Sequence, residues 1–206
     1  MRTLVGVIAV SALVLTGCGS IDSKAEVAAE STTTTVANPQ PATATPSASG
    51  KFEPLPGTPQ VGEAVTNGGA KITVNSVTST PTISFRPGAI AGEYAPKEAR
   101  DGGQFIVVDA TVENVGKASM DLTCSYPIAT MLGDDEKRQF DAIKDLHRVE
   151  GNPECNVGLQ PGFSSEMKWV YEIPSTTVPV IFAFYTTEEG STRELRAVAI
   201  GPIAPA

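Results

Sequence analysis

The stretch FSSEMKWVYEIP (163–174) alternates with a period of two. Met167, Trp169, Tyr171 and Ile173 fall on one face; Glu166, Lys168 and Glu172 fall on the other. Successive side chains of a strand point to opposite faces, so this pattern predicts an antiparallel strand with one buried and one wet face. Trp169, on the apolar face, is expected to be the core aromatic of a sandwich rather than a ligand-stacking ring.

The same period recurs outward along the chain. In QFIVVDATVENVGK (104–117), Ile106, Val108, Ala110 and Val112 point one way and Val107, Asp109, Thr111 and Glu113 the other, before the turn signal Asn114-Val115-Gly116-Lys117. In AKITVNSVTS (70–79), Ile72, Val74 and Ser76 alternate with Thr73, Asn75 and Val77. SMDLTCSYPIATML (119–132) predicts two short strands broken near Pro127, and GDDEKRQF (133–140) a turn with its returning arm. VPVIFAFYTT and RELRAVAIG complete seven or eight short strands, which point to an antiparallel β-sandwich. DAIKDLHRVE (141–150) spaces Ile143, Leu146 and Val149 at helical intervals, predicting one or two helical turns between the sheets.

The N-terminus reads as a processing signal. One charge, Arg2, precedes an apolar run of about fourteen residues that is short for a spanning helix. It ends in Leu15-Thr16-Gly17-Cys18, small residues before a thiol, which resembles the bacterial lipobox. The expectation is a signal peptide over 1–17 and lipidation of Cys18, the acyl chains including a palmitate-type group. Two acyl chains anchor stably where one binds only marginally. Residues 18–60 then read as a disordered tether: STTTTVANPQPATATPSASG (31–50) is uncharged and non-aromatic, and cannot offset its ordering entropy by burial. Some forty residues span about 35 Å as a coil and roughly 120 Å when extended. The Ala/Thr/Pro/Val bias is similar to that of lipoproteins of high-GC actinobacteria. Residues 61–206 are left for one domain, displayed on the extracytoplasmic face of a cell membrane.

The formal net charge of −8 repels phosphate backbones and argues against nucleic acid as a partner. With Cys18 lipidated, Cys124 and Cys155 form an even pair in an exported chain and are expected to be disulfide-bonded. Their spacing is unlike that of a redox Cys-x-x-Cys pair. Asp134-Asp135-Glu136 cannot all face one calcium ion and read as a solvated turn. His147, the only histidine, reads as an exposed loop residue; no serine occupies a recognisable nucleophile turn, and zinc lacks three or four available His and Cys ligands. No cofactor is implied and no enzyme is expected.

The order VGEAVTNGGAKITVNSV, GQFIVVDATVENVGK, LQPGFSSEMKWVYEIP, from Val61 to Thr186, resembles bacterial lipoproteins and secreted proteins of unknown function. Their domain has the telokin-like, immunoprotective extracellular Ig-like fold. The resemblance implies that fold and no catalytic residues. The chain departs from the pattern in the insert PTISFRPGAIAGEYAPKEARDGG (81–103). Long loops in compact domains tend to be functional or disordered. If ordered, the insert offers Phe85, Arg86 and Tyr94 as recognition residues, since aromatics and arginine dominate interface energetics. The expected function is a non-enzymatic binding module for an envelope protein or glycan, with an accessory subunit of an envelope enzyme or transporter as the alternative.

Overall fold

A computed structural model describes residues 50–88, 92–187, 193–201 and 203. Cys18 and the tether up to residue 49 lie outside the described residues, as does 89–91 in the insert. The described chain is a β-sandwich. One sheet has the order β1 (Ala64–Asn67), β2 (Ala70–Thr80), β5 (Gly103–Asn114), β10 (Ser164–Pro174). The other runs β12 (Arg196–Ala199), β11 (Pro179–Thr186), β7 (Ile128–Asp134), β8 (Gln139–Asp141). Every ladder within these sheets is antiparallel.

The two-residue period produces the core directly. Ile106, Val108, Ala110 and Val112 of β5 and Met167, Trp169, Tyr171 and Ile173 of β10 face inward against Leu132, Phe182, Phe184 and Val198 of the opposite sheet. Trp169 is 2% exposed, its ring 5.4 Å from that of Phe182, so it is the core aromatic. β2 departs from simple alternation. Its register against β5 shifts between Val74 and Ser76, a bulge at Asn75. The extra residue turns Val77, not Ser76, toward Val108 and the core.

Two smaller pairs attach to this frame. β3 (Thr82–Phe85) and β4 (Ala95–Glu98) make a hairpin from the insert, and β6 (Met120–Asp121) pairs with β9 (Gly158–Leu159). The helical spacing near Leu146 yields a single 3-10 turn, Leu146–Arg148, with Leu146 buried. The folded body also begins earlier than residue 61. Phe52 N–H donates to the Asp135 carbonyl at 2.6 Å, Lys51 pairs with Asp135, and Gln60 bridges Ala199. These backbone and ionic contacts tie down ten residues that composition alone assigns to the tether. Among the described residues no helix is long and apolar enough to cross a membrane.

Candidate functional site

The insert is a covering element. Val107 and Val170, directly opposed across β5 and β10, belong to the outward face of their sheet, together with Phe105. They are packed under Ile83 and Phe85 of the hairpin and under Ile143 and Val149 of the connection after β8. The 3-10 turn segment locks to the hairpin by Arg86 N–H to the Arg148 carbonyl (2.9 Å) and Glu150 N–H to the Ser84 carbonyl (3.1 Å). The three residues offered for recognition therefore sit in different surroundings. Arg86 is 8% exposed, and its guanidinium donates two parallel hydrogen bonds to Glu154 at 2.8 and 2.7 Å. That pairing holds the Glu154 carboxyl below the usual glutamate range. The Phe85 ring lies 4.7 Å from Lys97 Nζ and 4.8 Å from the Arg148 guanidinium, two cation–π contacts. Tyr94, 38% exposed, carries the Arg86 guanidinium over its ring and is the one member that faces solvent.

Cys124 and Cys155 are bonded, with a Cα–Cα distance of 5.4 Å. His147 is neither exposed nor solitary: its Nδ1 lies 3.5 Å from Cys124 Sγ, and the ligand atoms of Cys124, His147 and Cys155 all fall within 4.8 Å of one another. The folding of the 142–155 loop over β10 brings the His147 ring against the disulfide, whose sulfurs are bonded to each other. The acidic run is likewise more than a solvated turn. Asp134 is fully buried and paired with Arg138 at 2.6 Å, and Asp135 is 9% exposed beside Lys51; Glu136 alone is open.

The outward faces of the two sheets differ sharply. On the β1–β2–β5–β10 sheet, the part left uncovered by the hairpin is polar: Lys71 pairs with Glu113, and Asn75, Thr111 and Glu166 are hydrogen-bonded at 3.0 to 3.2 Å. On the β12–β11–β7–β8 sheet the register aligns Ala197, Ala183 and Met131 in one row and Ala199, Ile181 and Gly133 in the next. A Cβ on Gly133 would come within 2.7 Å of Ile181 Cγ2, so glycine is what lets Ile181 lie flat on this face. With Phe52 and Leu195, all of these except Ala199 line a shallow groove of about 500 Å³. Asp134, Lys137, Arg138 and Gln139 supply its polar lining. Nothing in the alternation of VPVIFAFYTT separates this outward row from the core row, because both are apolar.

No family model matches the chain, and no curated protein matches it. Solved structures are similar to it in fold. An uncharacterized β-sandwich protein from Clostridium difficile 630 is 15% identical, the match covering 69% of this chain and 94% of that one, with a TM-score of 0.47. The yjhA protein from Bacillus subtilis is 14% identical over 69% of this chain and 99% of its own, TM-score 0.47. The ycdA protein from Bacillus subtilis, a candidate lipoprotein, is 12% identical over 69% of this chain and 39% of its own, TM-score 0.45.

Proposed function

We propose that this chain is a cell-envelope lipoprotein of the telokin-like Ig-like class, whose sandwich is a non-enzymatic module for binding another envelope protein. Cys18 carries the lipid and anchors the chain on the extracytoplasmic face of the membrane. The observation that carries the binding reading is the apolar outward face of the β12–β11–β7–β8 sheet. Antiparallel sheets with one solvated face normally alternate apolar and polar residues. Here Met131, Ile181, Ala183 and Ala197 occupy positions where the other sheet carries ions and hydrogen-bonding side chains. Met131, Ile181 and Ala197 are half-buried, Ala183 is buried between them and Leu195 is exposed, with Lys137 and Arg138 in the same lining; an apolar groove bordered by polar residues is one form a protein-binding surface takes. Its small, flat side chains suit a protein partner better than a glycan, which requires convergent hydrogen-bonding groups.

The test is crosslinking capture in native membranes with Met131→Glu and Ile181→Glu together, beside Tyr94→Ala. The paired charges on the sheet face are expected to abolish the captured partner while the melting temperature holds, and Tyr94→Ala to leave it in place. A partner lost with Tyr94→Ala but kept by the charged face would move recognition to the insert. If the captured protein is an envelope enzyme or transporter, the chain is its accessory subunit.

A further inference from the structure

We propose that the pocket between β7 and the segment leaving β8 is a binding site for a free α-amino acid with a large apolar side chain. The inference is independent of the sheet-face reading and rests on a different part of the molecule. β8 ends at Asp141, opposite Met131, whereas β7 begins at Ile128 and so extends past the end of its neighbour. The chain then crosses to the other sheet, where Ile143 N–H donates to the Val170 carbonyl at 2.7 Å and Leu146 enters the core. Between β7 and this departing segment lies a pocket of about 360 Å³. That is near the lower end of the range for small-molecule sites, about 300–1,000 Å³, and suits one side chain rather than an acyl or glycan chain.

The lining has two parts. The inner wall is apolar: Ile128 is 6% exposed, and Leu146 and Trp169 are both 2% exposed. An aromatic or branched side chain seated there is removed from water together with the wall it covers. The lip is charged. Asp141 and Lys144 both line the pocket and both are exposed. Neither belongs to an ion pair among the described residues.

Opposite charges that border one apolar pocket without bonding each other complement a ligand carrying both signs. A free amino acid has its ammonium and carboxylate on one carbon, next to its side chain. Asp141 takes the ammonium and Lys144 the carboxylate, each through charge-assisted hydrogen bonds. Thr130, also in the lining, adds a directional group. Its Oγ1 accepts the O–H of the fully buried Tyr171 at 2.8 Å, which fixes the hydroxyl and leaves its own hydrogen for a ligand oxygen. Tyr126 stands at the mouth, 46% exposed, in a left-handed backbone conformation (φ 49°) that non-glycine residues seldom adopt. Its ring adds apolar surface and a π face for the ammonium.

Trp169 is the only tryptophan of the chain, so the pocket carries its own reporter. The experiment titrates the full chain with L-phenylalanine while tryptophan emission is followed. Saturation-transfer NMR on the amino acid gives a second readout that does not depend on fluorescence. The expected result is saturable binding with Kd of about 0.1–1 mM, weak because the lip charges stay partly hydrated. Phenethylamine lacks the carboxylate and phenylpropionate lacks the ammonium; each is expected to bind about tenfold more weakly. Asp141→Asn and Lys144→Gln change exposed positions and are expected to keep the melting temperature. Asp141→Asn should weaken L-phenylalanine about tenfold and leave phenylpropionate unaffected, and Lys144→Gln should do the same while sparing phenethylamine. No binding by either readout, equal affinity for either singly charged analogue, or unchanged L-phenylalanine affinity in either variant overturns the proposal.

Discussion

Asn152 shows how much one side chain does at the edge of a sheet. β10 is the last strand of its sheet, and the Lys168 peptide would face away from any strand neighbour. Asn152 fills that place: its Oδ1 accepts Lys168 N–H at 2.6 Å, and its Nδ2 donates to the carbonyls of Lys168 and Leu146, both at 2.9 Å. The side chain is 8% exposed and uses donor and acceptor alike. Asn152→Ala orphans buried backbone groups, at about 1–3 kcal/mol for each group left unpaired. The expected outcome is a lower denaturant midpoint and faster hydrogen exchange at the Lys168 amide; an unchanged exchange rate would show that water takes over the bonds. In the sequence, Asn152 is one more turn residue between Gly151 and Pro153, because its partners lie sixteen and six positions away. Trp169, by contrast, was legible from its own strand, since alternation alone places it on the buried face. Trp169→Ala is expected to destabilise the fold by about 3–5 kcal/mol, as judged by chemical denaturation, the range for emptying a large aromatic site.

The β3–β4 hairpin and the 142–155 connection form a cover over the outward face of β5 and β10. Phe105 and Val170 are fully buried beneath them, and Ile83 and Val149 are 7% and 4% exposed. Removal of such a cover costs roughly 1.5–3 kcal/mol for each large side chain returned to water. Replacing residues 82–98 by a short Gly/Ser linker should therefore lower stability by several kcal/mol and raise binding of an apolar dye. Equal dye binding and an equal melting temperature would show that the hairpin is a mere appendage. The sequence gives no sign that part of the insert packs onto its own sheet, and for a definite reason. Val107 and Val170 interrupt the polar rows of their strands, which is the one trace of a cover in the sequence, yet nothing local says which segment supplies it. Arg86 follows the same logic: its charge suggests a solvent-facing role until Glu154, 68 positions away, is brought against it.

Among the described residues, three carboxylates are held below their ordinary range and contribute to the response to acid. Glu154 is held low by its hydrogen bonds from Arg86, and Glu172 by those from Arg100. Asp121 is pushed up by burial, but the backbone N–H groups of Asn156, Cys124 and Thr123 outweigh that and bring it below its usual value. A carboxyl depressed in the folded state stabilises the fold above its unfolded value, and the contribution disappears as pH falls through the folded value. Stability should thus be nearly flat from about pH 7 to 5 and fall below about pH 4, where ordinary carboxylates begin to take protons. Asp121→Asn should flatten that acid limb in urea unfolding measured across the range. A limb of the same slope in the variant would remove Asp121 from the account.

The strands, their inward faces, the core tryptophan and the pairing of Cys124 with Cys155 could be read along the chain, because each follows from a period of two residues or from the number of thiols. β2 marks the limit of that reading: a single bulge at Asn75 exchanges Ser76 for Val77 in the core, and a ladder shift has no local signature. The start of the folded body near residue 50, the burial of Asp134, the clamp on Arg86 and the meeting of His147 with the disulfide all depend on contacts between distant segments. So does the contrast between the two outward faces. Apolar residues on both sides of β11 look alike in one dimension, and the packing of the second sheet determines which row is enclosed and which remains open as a surface.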